Sequence, residues 1–325
     1  MTKQIVAVTG ASGHIGGNLV RALIDQGRHV RVLEHHYTKG YEGLNVEIVK
    51  GDICNIESLD RLCNGVDIVY HLAAKIYLGK KRNLETENVN IIGTKNVATA
   101  CLNKKVRRLI HFSSIHALSP FPLHEVIDEE RPFISNSDAT CYDFTKAAGE
   151  QEIQKAVKLG LDAVILNPCG VIGPWDFFPS AMGKLILDMS QKRFFILCQG
   201  GFNWVDVRDI VDAATAAEKK GRSGERYLLS GEWVAVSEIA KIISNYALKQ
   251  SFYCTLPYRL AHLLAYFTEG YGNLAHTTPR FTCSAVKTLQ HYRYVSNDKA
   301  KKELGFSPRP IAESLGDTLS WHLSQ

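Results

Sequence analysis

The chain lacks any block of about five consecutive Lys or Arg residues, although Lys plus Arg outnumber Asp plus Glu by 38 to 33. A net charge of +5 dispersed over 325 residues gives no support to a nucleic-acid-binding arm. No uninterrupted apolar stretch approaches the roughly 20 residues that cross a bilayer, so no membrane span is expected. Eight cysteines are present, but none forms a C-x-x-C pair, and their spacings match neither a zinc site nor a small disulfide framework. They read as small buried hydrophobes of a reducing compartment, and no metal is expected. Internal repeats and low-complexity tracts are missing too. The opening MTKQIVAVTG leads into a short apolar strand rather than a signal-peptide core, which predicts a soluble, cytoplasmic protein. What remains is an ordinary globular composition, 45% hydrophobic, 9% aromatic and 22% charged, with chain enough for one large domain or two.

Over the first 170 or so residues, short apolar runs alternate with longer helical patterns. Strands are predicted at 4–9, 29–33, 46–49, 66–71, 108–112 and 163–167, and helices at 14–26, 84–103 and 142–159. The strands are apolar throughout rather than alternating, which argues a parallel sheet covered on both faces: a doubly wound α/β fold. After Gly173-Pro174 the rhythm breaks, and Pro, Gly and aromatic residues become frequent. The expected division is therefore 1–174 and a smaller region 175–325. Strands at 203–207 and 226–229 are expected to return to the first domain, so that the two are partly interleaved. A helix is predicted over Pro257–Phe267, with Leu260, Leu263, Leu264 and Phe267 on one side. That stripe suits core packing, a substrate-pocket wall or a membrane-surface contact.

The most specific local feature is Thr9-Gly10-Ala11-Ser12-Gly13-His14-Ile15-Gly16, between the first strand and the first helix. Its glycine spacing, G-x-x-G-x-x-G, is one residue wider than the dinucleotide fingerprint, and the same physics applies. Glycines let the backbone approach a pyrophosphate that sits at the positive end of a helix. Glu34, closing the second strand, is placed to accept hydrogen bonds from the adenosine ribose and to repel a 2′-phosphate, which favours NAD over NADP. His35, His36 and Lys39 follow and leave NADP open. Asp52, with Ile53, ends the next strand and is a candidate for the adenine. His71-Leu72-Ala73-Ala74 ends the fourth, where small side chains let the backbone pass close to a cofactor.

Tyr142 and Lys146 lie four apart on one predicted helix face, downstream of Ser113-Ser114 at a strand end. A phenol's reference pKa near 10 is too high for easy proton exchange at neutral pH, and a nearby ammonium is expected to lower it. That set suits acid–base work on an alcohol or carbonyl whose carbon exchanges hydride with nicotinamide.

On these residues the sequence resembles the extended or atypical short-chain dehydrogenases/reductases, the NAD-dependent epimerase/dehydratase superfamily with its Rossmann sheet. The resemblance continues through Asn90-Ile91-Ile92-Gly93-Thr94-Lys95-Asn96, Asn167-Pro168, Gly173-Pro174, Trp204–Asp209 and Gly224–Tyr227, and is nearest the dihydroflavonol-4-reductase-like branch. It implies Tyr142 as acid–base, Lys146 as holder of the nicotinamide ribose, and Ser114 on the substrate oxygen, with Ser113 as fallback. Asn90 would support a proton-relay water, and Asn167 and Pro168 would border the nicotinamide. It also implies a homodimer through the helices at 84–103 and 142–159. No Asp-Glu pair follows Ser114, which disfavours dehydration. Gly200–Trp204 offers aromatics where nucleotide-sugar enzymes present an arginine. Phe202 and Trp204, with Trp175, Phe177 and Phe178, become candidates for an apolar pocket wall, plain core being the alternative. The expected activity is an NAD(P)-dependent oxidoreductase acting on a ketone, aldehyde or secondary alcohol of moderate hydrophobicity. An NAD-dependent sugar-nucleotide epimerase and an inactive cofactor-binding sensor are the rivals.

Overall fold

The computed structural model describes residues 4–79, 81–135, 139–246, 252–274 and 282–325. Its strands are β1 (Ile5–Thr9), β2 (His29–Glu34), β3 (Glu47–Lys50), β4 (Ile68–His71), β5 (Arg108–Phe112), β6 (Ala163–Pro168), β7 (Gly170–Ile172), β8 (Phe194–Cys198), β9 (Gly201–Asp206), β10 (Arg226–Leu229), β11 (Glu232–Ala235) and β12 (Phe252–Leu256). The helices are α1 (His14–Asp25), α2 (Ile56–Cys63), α3 (Leu84–Glu87), α4 (Thr94–Asn103), α5 (Cys141–Lys158), α6 (Ala181–Gln191), α7 (Val207–Lys220), α8 (Val236–Tyr246), α9 (Tyr258–Leu274), α10 (Cys283–Thr288), α11 (Asp298–Leu304) and α12 (Ile311–Leu323).

Seven strands form one sheet in the order β10-β6-β5-β4-β1-β2-β3, and every pair is parallel. Each strand feeds both faces: Val6 and Val8 pack with Leu19, Leu23 and Ile210 on one side, while Ala7 packs with Leu59, Val97 and Ile153 on the other. Burial on both faces is why these segments read as unbroken apolar runs. Strand order reverses between β1 and β4, and the crevice outside their carboxyl ends is where such sheets receive ligands. This is the Rossmann-type sheet expected from the sequence.

Three features differ from the sequence reading. The expected helix at 84–103 is not uniform: a six-residue π-helical turn, Asn88–Gly93, joins α3 to α4. There α5 approaches so closely that a Cβ on Gly149 would stand 2.5 Å from the Asn90 carbonyl oxygen. Of the two strands expected to return to the main sheet, β10 pairs with β6, but β9 does not join it. It pairs with β7 and β11 in a three-stranded sheet over a separate apolar cluster that includes Ile186, Ile239, Ile243 and Leu315. Finally, β8 and β12 form a two-stranded sheet that was not anticipated.

Candidate active site

The glycine loop is shaped by two requirements that can be separated. Gly10 has φ +73°, and a Cβ there would lie 2.6 Å from the Ala73 amide nitrogen. Gly16 carries no side chain because one would overlap the Gly10 carbonyl. Both glycines are demanded by the protein's own packing. Gly13 is not: its Cβ would meet only the Gly10 oxygen, at 3.4 Å, and the residue is exposed. It is the N-cap of α1, and no side chain caps the first N–H groups of that helix. An exposed glycine before uncapped helix amides is a cradle for an anion. Ser12 and Ile15 are half-buried around it, and His14 turns inward, its Nε2 3.0 Å from the Pro174 carbonyl. Burial lowers the His14 pKa, so this imidazole is neutral and ties the 173–174 turn to α1.

Further along the crevice, Glu34 ends β2 and accepts a hydrogen bond from the Tyr41 hydroxyl at 3.2 Å. Asp52 accepts from the Cys54 amide at 2.8 Å, and Ile53 is buried against Gly93. Leu72 and Ala73 run beside Gly10, with the Ala73 amide 3.3 Å from the Thr9 hydroxyl; Ala74 continues the segment. His71 bridges Thr9 and Thr94 at 2.8 and 3.0 Å, and burial drives its pKa down to about 3.

At the other end stand the groups suited to chemistry. A capping box between Thr140 and Asp143 starts α5 and fixes its first turn, which carries Tyr142. Of the two serines, Ser114 is the one whose hydroxyl acts on the Tyr142 phenol, favouring its ionised form. Burial nonetheless pushes the Tyr142 pKa up to about 12, and Asp143 adds to the rise. Lys146 lies one turn further on, its Nζ donating to the Phe112 carbonyl at 2.7 Å, and burial lowers it to about 8. The expected lowering of the tyrosine by the lysine is therefore not found. Desolvation outweighs it, and the ammonium is turned to a carbonyl. The phenol is protonated at neutral pH.

Asn90 is buried, but its amide is committed: it accepts from the Lys75 amide at 2.8 Å and donates to the Lys75 carbonyl and the Thr145 hydroxyl, each at 2.9 Å. These bonds pin the chain at Lys75 to Thr145 of α5. Asn167 is fully buried and donates to the Ser114 carbonyl at 3.0 Å and to Glu150 at 2.9 Å. Glu150 is in turn paired with Arg226 at 2.9 Å. The Asn167 Oδ1, beside Pro168, and the Ser113 hydroxyl remain buried without a hydrogen-bond partner among the described residues. Orphaned polar atoms at the ends of β5 and β6 and an uncapped helix at the end of β1 are what a dinucleotide laid across the crevice would satisfy, so the residues fit NAD.

Two residues not singled out for a role join the site. His116 lies two positions after Ser114, its Nδ1 2.9 Å from Asp143, and its ring sits edge-on to Tyr142 with centroids 5.8 Å apart. Burial raises the Asp143 carboxyl, but the bond to His116 and the donors of Thr140 more than offset this and hold it below its ordinary value. The signal available was a histidine just past the serine and an aspartate just past the tyrosine. The aromatic wall is corrected. Trp204 is core, its indole N–H bonded to the Val234 carbonyl at 3.0 Å, with Phe202 edge-on against it. Trp175 and Phe177 pack with Arg21 and Trp321, and Phe178 packs on Tyr37, so the five do not share one surface.

Residues 6–230 match the NAD dependent epimerase/dehydratase family, and the chain belongs to it. It is an NAD-dependent enzyme of the extended short-chain dehydrogenase/reductase type. Among individual proteins it is similar to sterol demethylase protein B of Methylococcus capsulatus, 31% identical over 318 residues with 97% of each chain covered. It is also similar to the mouse (Mus musculus) sterol-4-alpha-carboxylate 3-dehydrogenase, decarboxylating, at 26% identity over 93% of this chain and 86% of that one. The crystal structure of gox2253 superposes with a TM-score of 0.84 at 29% identity, covering 99% of this chain and 98% of that one.

Proposed function

We propose that the chain is a reductase or dehydrogenase that moves hydride between NAD and the carbonyl or secondary-alcohol carbon of a largely apolar small molecule. The observation that carries this reading is geometric: a capping box sets Tyr142 in the first turn of α5, and Lys146, one turn on, reaches the Phe112 carbonyl at 2.7 Å, two residues before Ser114. Bound NADH supplies the hydride, and NAD accepts it in the reverse direction. Ser114 donates a hydrogen bond to the substrate oxygen. Tyr142 gives its proton to that oxygen as the carbon is reduced, and Lys146 holds the ribose. His116 and Asp143 fix the first turn of α5 so that Tyr142 keeps this position. Gly10, Ser12, Gly13, His14, Ile15 and Gly16 receive the pyrophosphate; Glu34, Asp52 and Ile53 receive the adenosine. Leu72, Ala73 and Ala74 offer backbone, and Asn167 with Pro168 borders the nicotinamide. Residues 1–174 act as the cofactor domain and 175–325 as the substrate region, in a cytoplasmic homodimer formed through α4 and α5. Two relatives are named for sterols, which supports a polycyclic ketone or alcohol as the substrate class.

The test is the decay of nicotinamide absorbance with a panel of aryl and sterol ketones, run with NADH and NADPH in parallel. Tyr142→Phe is expected to lower turnover by about 10²–10⁴-fold while NAD affinity is kept. Undiminished turnover in that variant overturns the mechanism. NAD carried through purification, with no turnover of added NADH, would favour the epimerase instead.

A further inference from the structure

In the substrate region, exposed large apolar side chains gather on β8, β12 and α9, the last two successive in the chain. Phe194 and Phe252 face each other across the β8–β12 pair and are 60% and 66% exposed. Ile196 and Cys254, the next outward pair, are exposed as well. The alternate residues Phe195 and Tyr253 stack inward at 5.7 Å, so the pair is buried on one side and apolar on the other. β12 passes through Pro257 directly into α9. In α9, Ala261 and Ala265 are the buried contacts, whereas Leu260, Leu263, Leu264 and Phe267 form a stripe at i, i+3, i+4 and i+7 that stays exposed. A cleft of about 400 Å³ opens beside Phe194, lined by Leu185, Met189 and Phe195 together with the Asp188–Lys192 pair. Large apolar side chains left exposed in groups mark interaction surfaces.

The charges around this surface choose its occupant. Lys184, Arg193 and Arg259 are exposed on the elements that carry it, and none of the three has a carboxylate partner among the described residues. Of the acids on the same elements, Asp188 is paired with Lys192 at 2.9 Å, and Glu269 accepts from the Cys283 amide at 2.9 Å. A second copy of the chain meeting this face about a two-fold axis would bring the unpaired cations of both copies into one interface without adding acids to offset them. An anionic surface would neutralise them while taking up the apolar side chains between them.

We propose that the β8–β12 face and the outer stripe of α9 form a docking surface for an anionic lipid bilayer, which the protein touches peripherally. The occupant is a phospholipid surface rather than a single lipid molecule. The apolar side chains enter the interface and the three cations meet the headgroups. The proposal goes beyond the carbonyl reading and does not depend on it.

The experiment is co-sedimentation of the full chain with phosphatidylcholine vesicles, with and without phosphatidylglycerol. Binding is expected to the anionic vesicles and to be much weaker to the neutral ones. Raising the salt from about 0.1 M to about 1 M, which shortens the Debye length from about 10 Å to about 3 Å, should release the protein. Combining Phe252→Asp with Leu263→Asp should abolish binding. Combining Arg193→Glu with Arg259→Glu should reduce binding on anionic vesicles to the level seen on neutral ones. Thermal melting and NADH titration of each variant establish that it is folded, and turnover of a water-soluble ketone should stay at the wild-type level. Wild-type protein left in the supernatant with anionic vesicles overturns the proposal, as do aspartate variants that bind like wild type. A wild-type dimer that Phe252→Asp converts to monomer, with no vesicle binding, would assign the face to a second copy instead.

Discussion

Gly13→Ala separates the fold's need for glycine from the cofactor's need. The backbone at Gly13 has φ −77° and ψ 171°, which alanine adopts freely, and the new methyl would meet nothing nearer than the Gly10 oxygen at 3.4 Å. Replacing glycine by alanine at an N-cap costs about 1 kcal/mol or less, or about 1.5 °C or less in Tm for a chain of this size. The methyl would stand in front of the uncapped amides of α1. Hydrogen bonds to a charged group are worth about 1.5–3 kcal/mol each. Holding a pyrophosphate away from two of them therefore weakens NAD by about 10²–10⁴-fold. NADH fluorescence titration and thermal melting on the same preparation read both effects. Gly16→Ala is the contrast, since its Cβ overlaps the Gly10 carbonyl and the fold itself should suffer. A Gly13→Ala protein that melts normally and binds NADH like wild type would refute the placement of the pyrophosphate at this helix.

Burial holds Lys146 at about 8 against an ordinary value of 10.5. Between those values the unfolded chain binds more protons than the folded one, so Lys146 makes stability rise with pH there, by up to about 1.4 kcal/mol per pH unit. Urea unfolding across that window should show Lys146→Met losing this part of the rise, and equal slopes in the two proteins would contradict it. Glu34→Ser removes the carboxylate from the end of β2 and should improve NADP binding relative to NAD by about tenfold, read by parallel titrations; an unchanged ratio would clear Glu34 of cofactor choice. The depressed Asp143 carboxyl stabilises the fold above its unfolded pKa, and that contribution is lost as pH falls through its lowered native value. His116→Ala should move the acid-unfolding midpoint to higher pH, and an unmoved midpoint would show that the pair contributes nothing to the cap of α5.

The main sheet was legible because burial on both faces leaves a signature that needs no partner to interpret. The 108–112 and 226–229 strands have the expected ends, and β1, β2 and β6 differ from expectation by a residue. The glycine loop could be read because steric demand at Gly10 and Gly16 is local, set by chain that is adjacent or one strand away. The small elements were hidden for the opposite reason. β8 and β12 each have an exposed apolar face, so their first three residues alternate in burial without alternating in polarity. The π-helical turn at 88–93 was hidden as well, since its close neighbour, Gly149 of α5, is more than 50 residues away in the chain.

Residue types at the site were legible, but their protonation and commitments were not, because these depend on which polar atoms other elements deliver. Tyr142 and Lys146 were found by spacing, yet the lysine's nearest acceptor is the backbone oxygen of Phe112 on β5, which no helical pattern reveals. Asn90 was found by resemblance, yet its three side-chain bonds to Lys75 and Thr145 follow from no pattern in the sequence. Trp204 looked like a pocket residue because its partner, the Val234 carbonyl, lies on β11, a strand the sequence did not disclose. His116 is the converse case. It is an unremarked residue type two places past Ser114, and it gains its role only when α5 brings Asp143 to within 2.9 Å. The same packing that desolvates Tyr142 and keeps it protonated also builds the Thr140–Asp143 cap and the His116 contact that hold the tyrosine in the first turn of α5. A substitution at His116 should therefore act on the site through the helix end, and the pH profile of turnover should report whether the tyrosine has moved.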